Sequence, residues 1–223
     1  MTTVREPRLN PVAILDLRPT QFTVGMREVK AKRKHWHDER TKRDKRTKRD
    51  ERTKRHTKKV EEFLGKHMIP VILGPKGRYY VIDHHHLARA LHEEGIKDVA
   101  VSVIANLSNL DRDAFWFVME NHDWTHLFNA NGRRRPYGDL PKSVDKLIDD
   151  PFRSLAGELR RAGGFAKDTT PFSEFLWADF LRRRMKRKAV ETNFDGALEK
   201  ALQLAKSVDA NYLPGWCGPV PEE

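Results

Sequence analysis

Between Met26 and Leu64 the chain contains neither Gly nor Pro, and the stretch from Arg27 to Lys59 holds 17 Lys/Arg against 6 Asp/Glu. That excess equals the whole net charge of +11, so the remainder, with 26 residues of each sign, is neutral. The stretch is close to repetitive, with six-residue units TKRDKR, TKRDER and TKRHTK in succession. A six-residue period turns about 240° on an α-helix, so successive copies face different ways and no apolar stripe forms. Lys, Arg and Glu favour helix. The pattern predicts a long basic helix over 27–64, exposed all round and inserted after the first strand. Two readings of it stay open. It is a sequence-independent phosphate contact surface, carried by Lys42, Arg43, Arg46, Lys48, Arg49, Arg52, Lys54 and Arg55, or a charge run that is simply solvated.

The length of 223 residues suits one domain with an extension, and 38% hydrophobic content is enough for a core. Apolar runs such as VAVSVIANL are too short to cross a bilayer. The opening MTTVREPRLN lacks the apolar stretch of a signal peptide. Cys217 is the single cysteine, which excludes an internal disulfide and a cysteine-rich zinc site. A cytoplasmic protein without a membrane partner is expected.

The neutral part reads as a mixed α/β layer over residues 1–110. Val12 to Leu17 is a strand candidate. MIPVILG, the turn GPKG and RYYVID predict a hairpin from Ile69 to Asp83. HHHLARALHEEG predicts a helix capped by Asp83 and stopped at Gly95, and DVAVSVIANL predicts a further strand. Residues 111–223 read as a helical region packed on that layer. LDRDAFWFVMEN places Leu110, Ala114, Phe117 and Val118 near one face, and DLPKSVDKLIDD suggests a short helix. DDPFRSLAGELRRAGG has an acidic cap, Pro151 in the first turn and closing glycines. TTPFSEFLWADFLRRRMKRK repeats that pattern with Thr170 as cap, Phe172, Phe175, Leu176 and Phe180 as core, and basic residues 182–188 at the negative pole.

Chemistry concentrates in VIDHHHLARAL, where an aspartate and three histidines join strand to helix. With Asp83 as cap and about 100° per residue, His84 falls on the sheet side with Leu87, Ala88 and Leu91. His85 and Arg89 then share a second stripe, and His86 points elsewhere. Three adjacent helical histidines do not converge on one metal, because a helical zinc pair uses i, i+4 spacing. A strand running into a helix start does present amide groups and a positive dipole end, which suit phosphate. Asp83, His85 and His86 are candidates for acid/base work, and His84 and Arg89 for phosphate contact. Asp83 is also the candidate ligand for a metal bridged by phosphates. A second candidate is the loop-like stretch with His122, Asp123, His126 and Arg133 to Arg135.

The segments LRPTQFTVGMREV, YVIDHHHLARAL and VAVSVIANLS resemble the ParB-like superfamily, which also contains sulfiredoxin and free-serine kinases. The greatest similarity is to the ParB-like nuclease branch. It spans about Pro11 to Leu110 and extends to DDPFRSLAGELRRAGGFAKDTTPFSEFLWADF. Members carry Gly-x-x-Arg or Asp-Gly-His-His-Arg between strand and helix. Here DHHHLAR occupies that place without the glycine, and Arg89 stands one helical turn beyond the histidines. The resemblance implies a ParB/sulfiredoxin fold with a helical C-terminal half. It implies nucleotide-dependent phosphoryl transfer (ATP or CTP, with Mg²⁺) or nuclease-type phosphodiester hydrolysis. Asp83 would assist a hydroxyl nucleophile with help from Glu28, and Arg18 and Gln21 would approach the same pocket. The substrate is then a nucleotide or other phosphate-bearing molecule. The alternative is a non-catalytic, partition-like protein binding nucleic acid through the basic helix. The DHH phosphoesterases share IDHH but need an earlier His-x-Asp-x-Asp, which HWHDER does not supply.

Overall fold

A computed structural model describes residues 11–47 and 68–219. The chain forms two compact units that interleave along it. The first comprises Met1–Thr20, Lys30–Trp124 and Pro141–Lys146; the second comprises Gln21–Val29, Thr125–Leu140 and Leu147–Glu223. The expected division at residue 110 cuts the linear sequence, whereas these units draw on several segments each.

The first unit is built on a mixed five-stranded sheet. Its strands are β1 (Pro11–Ala13), β2 (Arg18–Pro19), β4 (Ile69–Gly74), β5 (Arg78–Val81) and β6 (Asp98–Asn106), in the order β1-β6-β4-β5-β2. The β4–β5 and β1–β6 pairs are antiparallel, and β4–β6 and β2–β5 are parallel. The expected hairpin is present, with Val71 opposite Val81 and Gly74 opposite Arg78. Gly74 admits no side chain, because a Cβ there would lie 2.6 Å from the Tyr80 ring and 2.7 Å from Phe115. Helix α2 (His85–Glu93) joins β5 to β6, and α3 (Arg112–Asn121) follows β6. Ile69, Val71, Ile72, Val81, Leu87, Leu91 and Met119 fill the core.

Several local expectations change. The strand expected over Val12–Leu17 ends at Ala13, and Ile14–Asp16 form a 3-10 turn that buries Ile14. Helix α3 buries Phe115, Trp116 and Met119, while Phe117 is 71% exposed. Tyr80 packs on both buried rings, with centroids 4.6 and 5.6 Å apart, so aromatic contacts choose the inward face. The basic helix α1 (Met26–Thr47) follows three short strands rather than one. Lys42, Arg43 and Arg46 lie on it, whereas Lys48, Arg49, Arg52, Lys54 and Arg55 fall outside the described residues.

In the second unit β3 (Thr23–Val24) pairs in parallel with β7 (Ile148–Asp149). The short helix expected in DLPKSVDKLIDD is replaced by a 3-10 turn at Val144–Lys146, in the first unit, and by β7. Four helices complete the second unit: α4 (Pro151–Arg161), α5 (Ser173–Arg184), α6 (Arg187–Thr192) and α7 (Phe194–Lys206). Helix α4 starts as expected. The Asp150 carboxylate accepts the Phe152 N–H at 3.0 Å, and Pro151 needs no acceptor there. Helix α5 starts later than expected, because Phe172 in a left-handed conformation (φ 58°) is the cap and Thr170 is not. Leu176 consequently lies 45% exposed, while Trp177, Phe180 and Leu181 enter the core. The Trp177 ring stacks on Phe165 at 4.3 Å, and its N–H donates to the Pro214 carbonyl at 2.9 Å. Trp177→Ala removes both contacts and is expected to cost about 3–5 kcal/mol, read as a lower urea midpoint by circular dichroism.

Candidate functional site

Strand β5 delivers the chain to the start of α2 through Ile82, Asp83 and His84. Asp83 is not the helix cap. His84 occupies that position in a left-handed conformation, φ 63° and ψ 24°. The His84 N–H donates to the Asp83 carboxylate at 2.6 Å, and the His84 ring Nδ1 lies 3.0 Å from the Met68 carbonyl oxygen. Histidine is among the few non-glycine residues that adopt this conformation with any frequency. It stands at the position where the resembling Asp-Gly-His-His-Arg motif carries glycine.

This cap shifts the histidines by one place. His84, expected toward the sheet, is exposed, as is Asp83. His85, expected at the rim, is 4% exposed. Its Nε2 accepts the Thr20 N–H at 3.2 Å, and the Thr20 hydroxyl donates to the Val81 carbonyl at 2.6 Å. A ring nitrogen that accepts an amide carries no proton of its own, so His85 serves as an anchor and not as a proton donor through Nε2. His86 is half-buried. Arg89 does not turn to the helix start. It donates to Glu93 at 2.9 Å and to the carbonyls of Val144 (3.4 Å) and Asp145 (2.5 Å), tying α2 to residues 141–146. Arg18 lies in β2 opposite Tyr80 and is half-buried. Among the described residues no group of three or more His, Cys, Asp or Glu is placed to hold a metal. Asp83 contributes a single exposed carboxylate at this turn.

Gln21 and Glu28 belong to the second unit. Gln21 is 7% exposed and donates to the Thr23 carbonyl at 2.7 Å, while its backbone bridges to His126. Glu28 acts electrostatically on Arg153 and Arg161 of α4. Arg153 is 6% exposed, lies 3.3 Å from Glu174, and stacks over Phe175 at 3.9 Å. Arg160 reaches Glu174 at 2.9 Å. Asp150 is 1% exposed and pairs with Arg182 at 2.5 Å. Burial pushes the Asp150 carboxyl up, against the pull of Arg182. Sequence reasoning missed Asp150, Arg153, Glu174 and Arg182 as a network. A charged residue on a helical stripe gives no sign that it is buried. Of the loop candidates, His122 stacks on Trp124 at 4.3 Å, Asp123 is exposed, and Arg135 pairs with Asp139 at 2.6 Å. Arg133 and Arg134 are exposed.

Residues 10–183 match the family described as "Putative ParB-like nuclease". The chain belongs to this family. The family region includes both the Asp83–His86 segment and the ion pairs of α4 and α5. A crystal structure of protein Atu1540 from Agrobacterium tumefaciens is similar, with 49% identity and a TM-score of 0.81, covering 96% of this chain and 100% of that one. No curated protein matches. Among the described residues of this ParB-like nuclease family member, no helix is long and apolar enough to cross a membrane.

His126 gives a pH test of the second unit. Its ring stacks on Phe175 at 3.7 Å, and burial, followed by the charges of Arg153 and Arg182, pushes its pKa from 6.5 down to about 3. Between those values the unfolded chain binds a proton that the folded chain refuses. Stability from this group is therefore full above pH 6.5 and falls as pH drops toward 3, by at most about 1.4 kcal/mol per pH unit. Urea titrations across that range are expected to show a flatter acid limb for His126→Phe than for the parent.

Proposed function

We propose that this protein hydrolyses phosphodiester bonds, with the exposed turn at Asp83 and His84 as its reacting surface. One observation carries the reading. His84, one of four left-handed non-glycine residues among those described, is held so where β5 meets α2, and this turns the Asp83 carboxylate and its own imidazole outward. The turn presents a carboxylate and an imidazole to solvent beside the positive end of α2, which favours a phosphate group. Asp83 takes the proton of an attacking water as its oxygen bonds to phosphorus. The bond from phosphorus to the leaving oxygen breaks, and a protonated imidazole, His84 or His86, supplies that oxygen with a proton. His85 contributes by anchoring the turn and takes no part in proton transfer. Were Mg²⁺ to bind here, Asp83 would be the residue to hold it and the ion would offset phosphate charge.

The nuclease branch of the family favours phosphodiester hydrolysis over nucleotide-dependent transfer, and the lack of glycine at position 84 points the same way. The test uses bis(4-nitrophenyl) phosphate, a DNA duplex, ATP and CTP, each with Mg²⁺. Asp83→Asn is expected to lower kcat on the phosphodiesters by about 10²–10⁴. His84→Gly keeps the backbone conformation and isolates the imidazole, with a smaller loss expected. Parental turnover in Asp83→Asn would remove the turn from the chemistry. Turnover confined to ATP or CTP would transfer the assignment to phosphoryl transfer.

A further inference from the structure

We propose that the second and third turns of α1 form a cradle for a nucleic-acid backbone, through Lys30, Lys34 and His37. These residues line an open depression of about 290 Å³ together with Arg33 and Glu94. All five belong to the first unit. The proposal rests on the phosphodiester reading for its choice of ligand; the depression itself stands on geometry.

The lining contains no apolar side chain, which disfavours a hydrophobic peptide or a lipid tail as occupant. Its one acid is already committed. Arg33 donates to Glu94 at 2.8 Å and to Glu93 at 3.0 Å, so the carboxylates are matched and the wall is fixed against the end of α2. Lys30, Lys34 and His37 are exposed. They follow one another at i, i+4 and i+7, along one face of the helix. Lys30 and Lys34 therefore stand about 6 Å apart along the axis. Successive phosphates of one duplex strand advance about 3.4 Å along the duplex axis, so every second phosphate, about 6.8 Å on, falls near the spacing of successive turns of α1. The neighbouring helix residues add to the field, with four Lys/Arg against one Asp/Glu from Lys30 to Asp38. No apolar stripe accompanies that charge, unlike the helices that lie in membrane interfaces. The contact is electrostatic and carries no base readout.

The test is fluorescence anisotropy of a labelled DNA duplex with the full-length protein at about 50 and 200 mM salt. Lys30→Glu/Lys34→Glu is expected to weaken binding by about tenfold at the lower salt and to reduce the salt slope by about two. Neither lysine belongs to the Asp83 turn, so turnover of bis(4-nitrophenyl) phosphate is expected to stay at the parental level. Asp83→Asn is expected to do the reverse, binding duplex normally while losing turnover. The two readings therefore fail separately. Unchanged duplex affinity in the double variant overturns the cradle. Equal competition by polyglutamate of matched charge also overturns it, since the surface would then be a site for acidic protein.

Discussion

Thr20 holds the turn between β5 and α2 in place with two bonds. Its amide reaches the buried ring of His85, and its hydroxyl reaches the carbonyl that ends β5. One residue after β2 thus fixes both the last residue of β5 and the first residue of α2. Both bonds are buried, so water does not compete with them. With His85 anchored inward, the chain between Val81 and His85 must bulge outward, and His84 absorbs the turn in the left-handed region. Asp83 and His84 reach solvent because His85 does not.

Charge is handled differently in the two units. On α1 the charges of Lys30, Lys34 and Asp38 are exposed, and Lys, Arg and Glu are good helix formers. In the second unit Arg153 and Asp150 are buried, and each is matched by a partner: Glu174 for Arg153, Arg182 for Asp150. Buried pairs of this kind add little net stability compared with apolar replacements, but loss of one partner strands the other. Such a network suits a unit in which position matters. Glu28 takes part in its electrostatics from the first turn of α1, alongside Arg153 and Arg161.

Much of the fold was legible where local chemistry and tertiary packing agree. GPKG turned the hairpin as its residues demand, and Asp150 with Pro151 opened α4 as a cap and first turn should. The site was legible only to its neighbourhood. A helical wheel drawn from Asp83 put His84 inside and His85 outside, and one left-handed residue reversed them. The same event recurs at Phe172, where a left-handed cap displaced Thr170 and left Leu176 outside. Backbone reversals at non-glycine residues leave little trace in composition, because they are imposed by neighbours distant in sequence.

By itself the sequence determined the segregation of charge into one helix, the strand-to-helix placement of Asp83 and the histidines, and membership of the ParB-like nuclease family. Those depend on residue type and near-neighbour spacing, which are local. Only tertiary structure decided which histidine is an anchor and which is exposed, that Arg89 serves residues 141–146, and that Arg153 is buried. Each depends on a partner many residues away, such as Thr20 for His85, and no periodicity within a single helix encodes that partner.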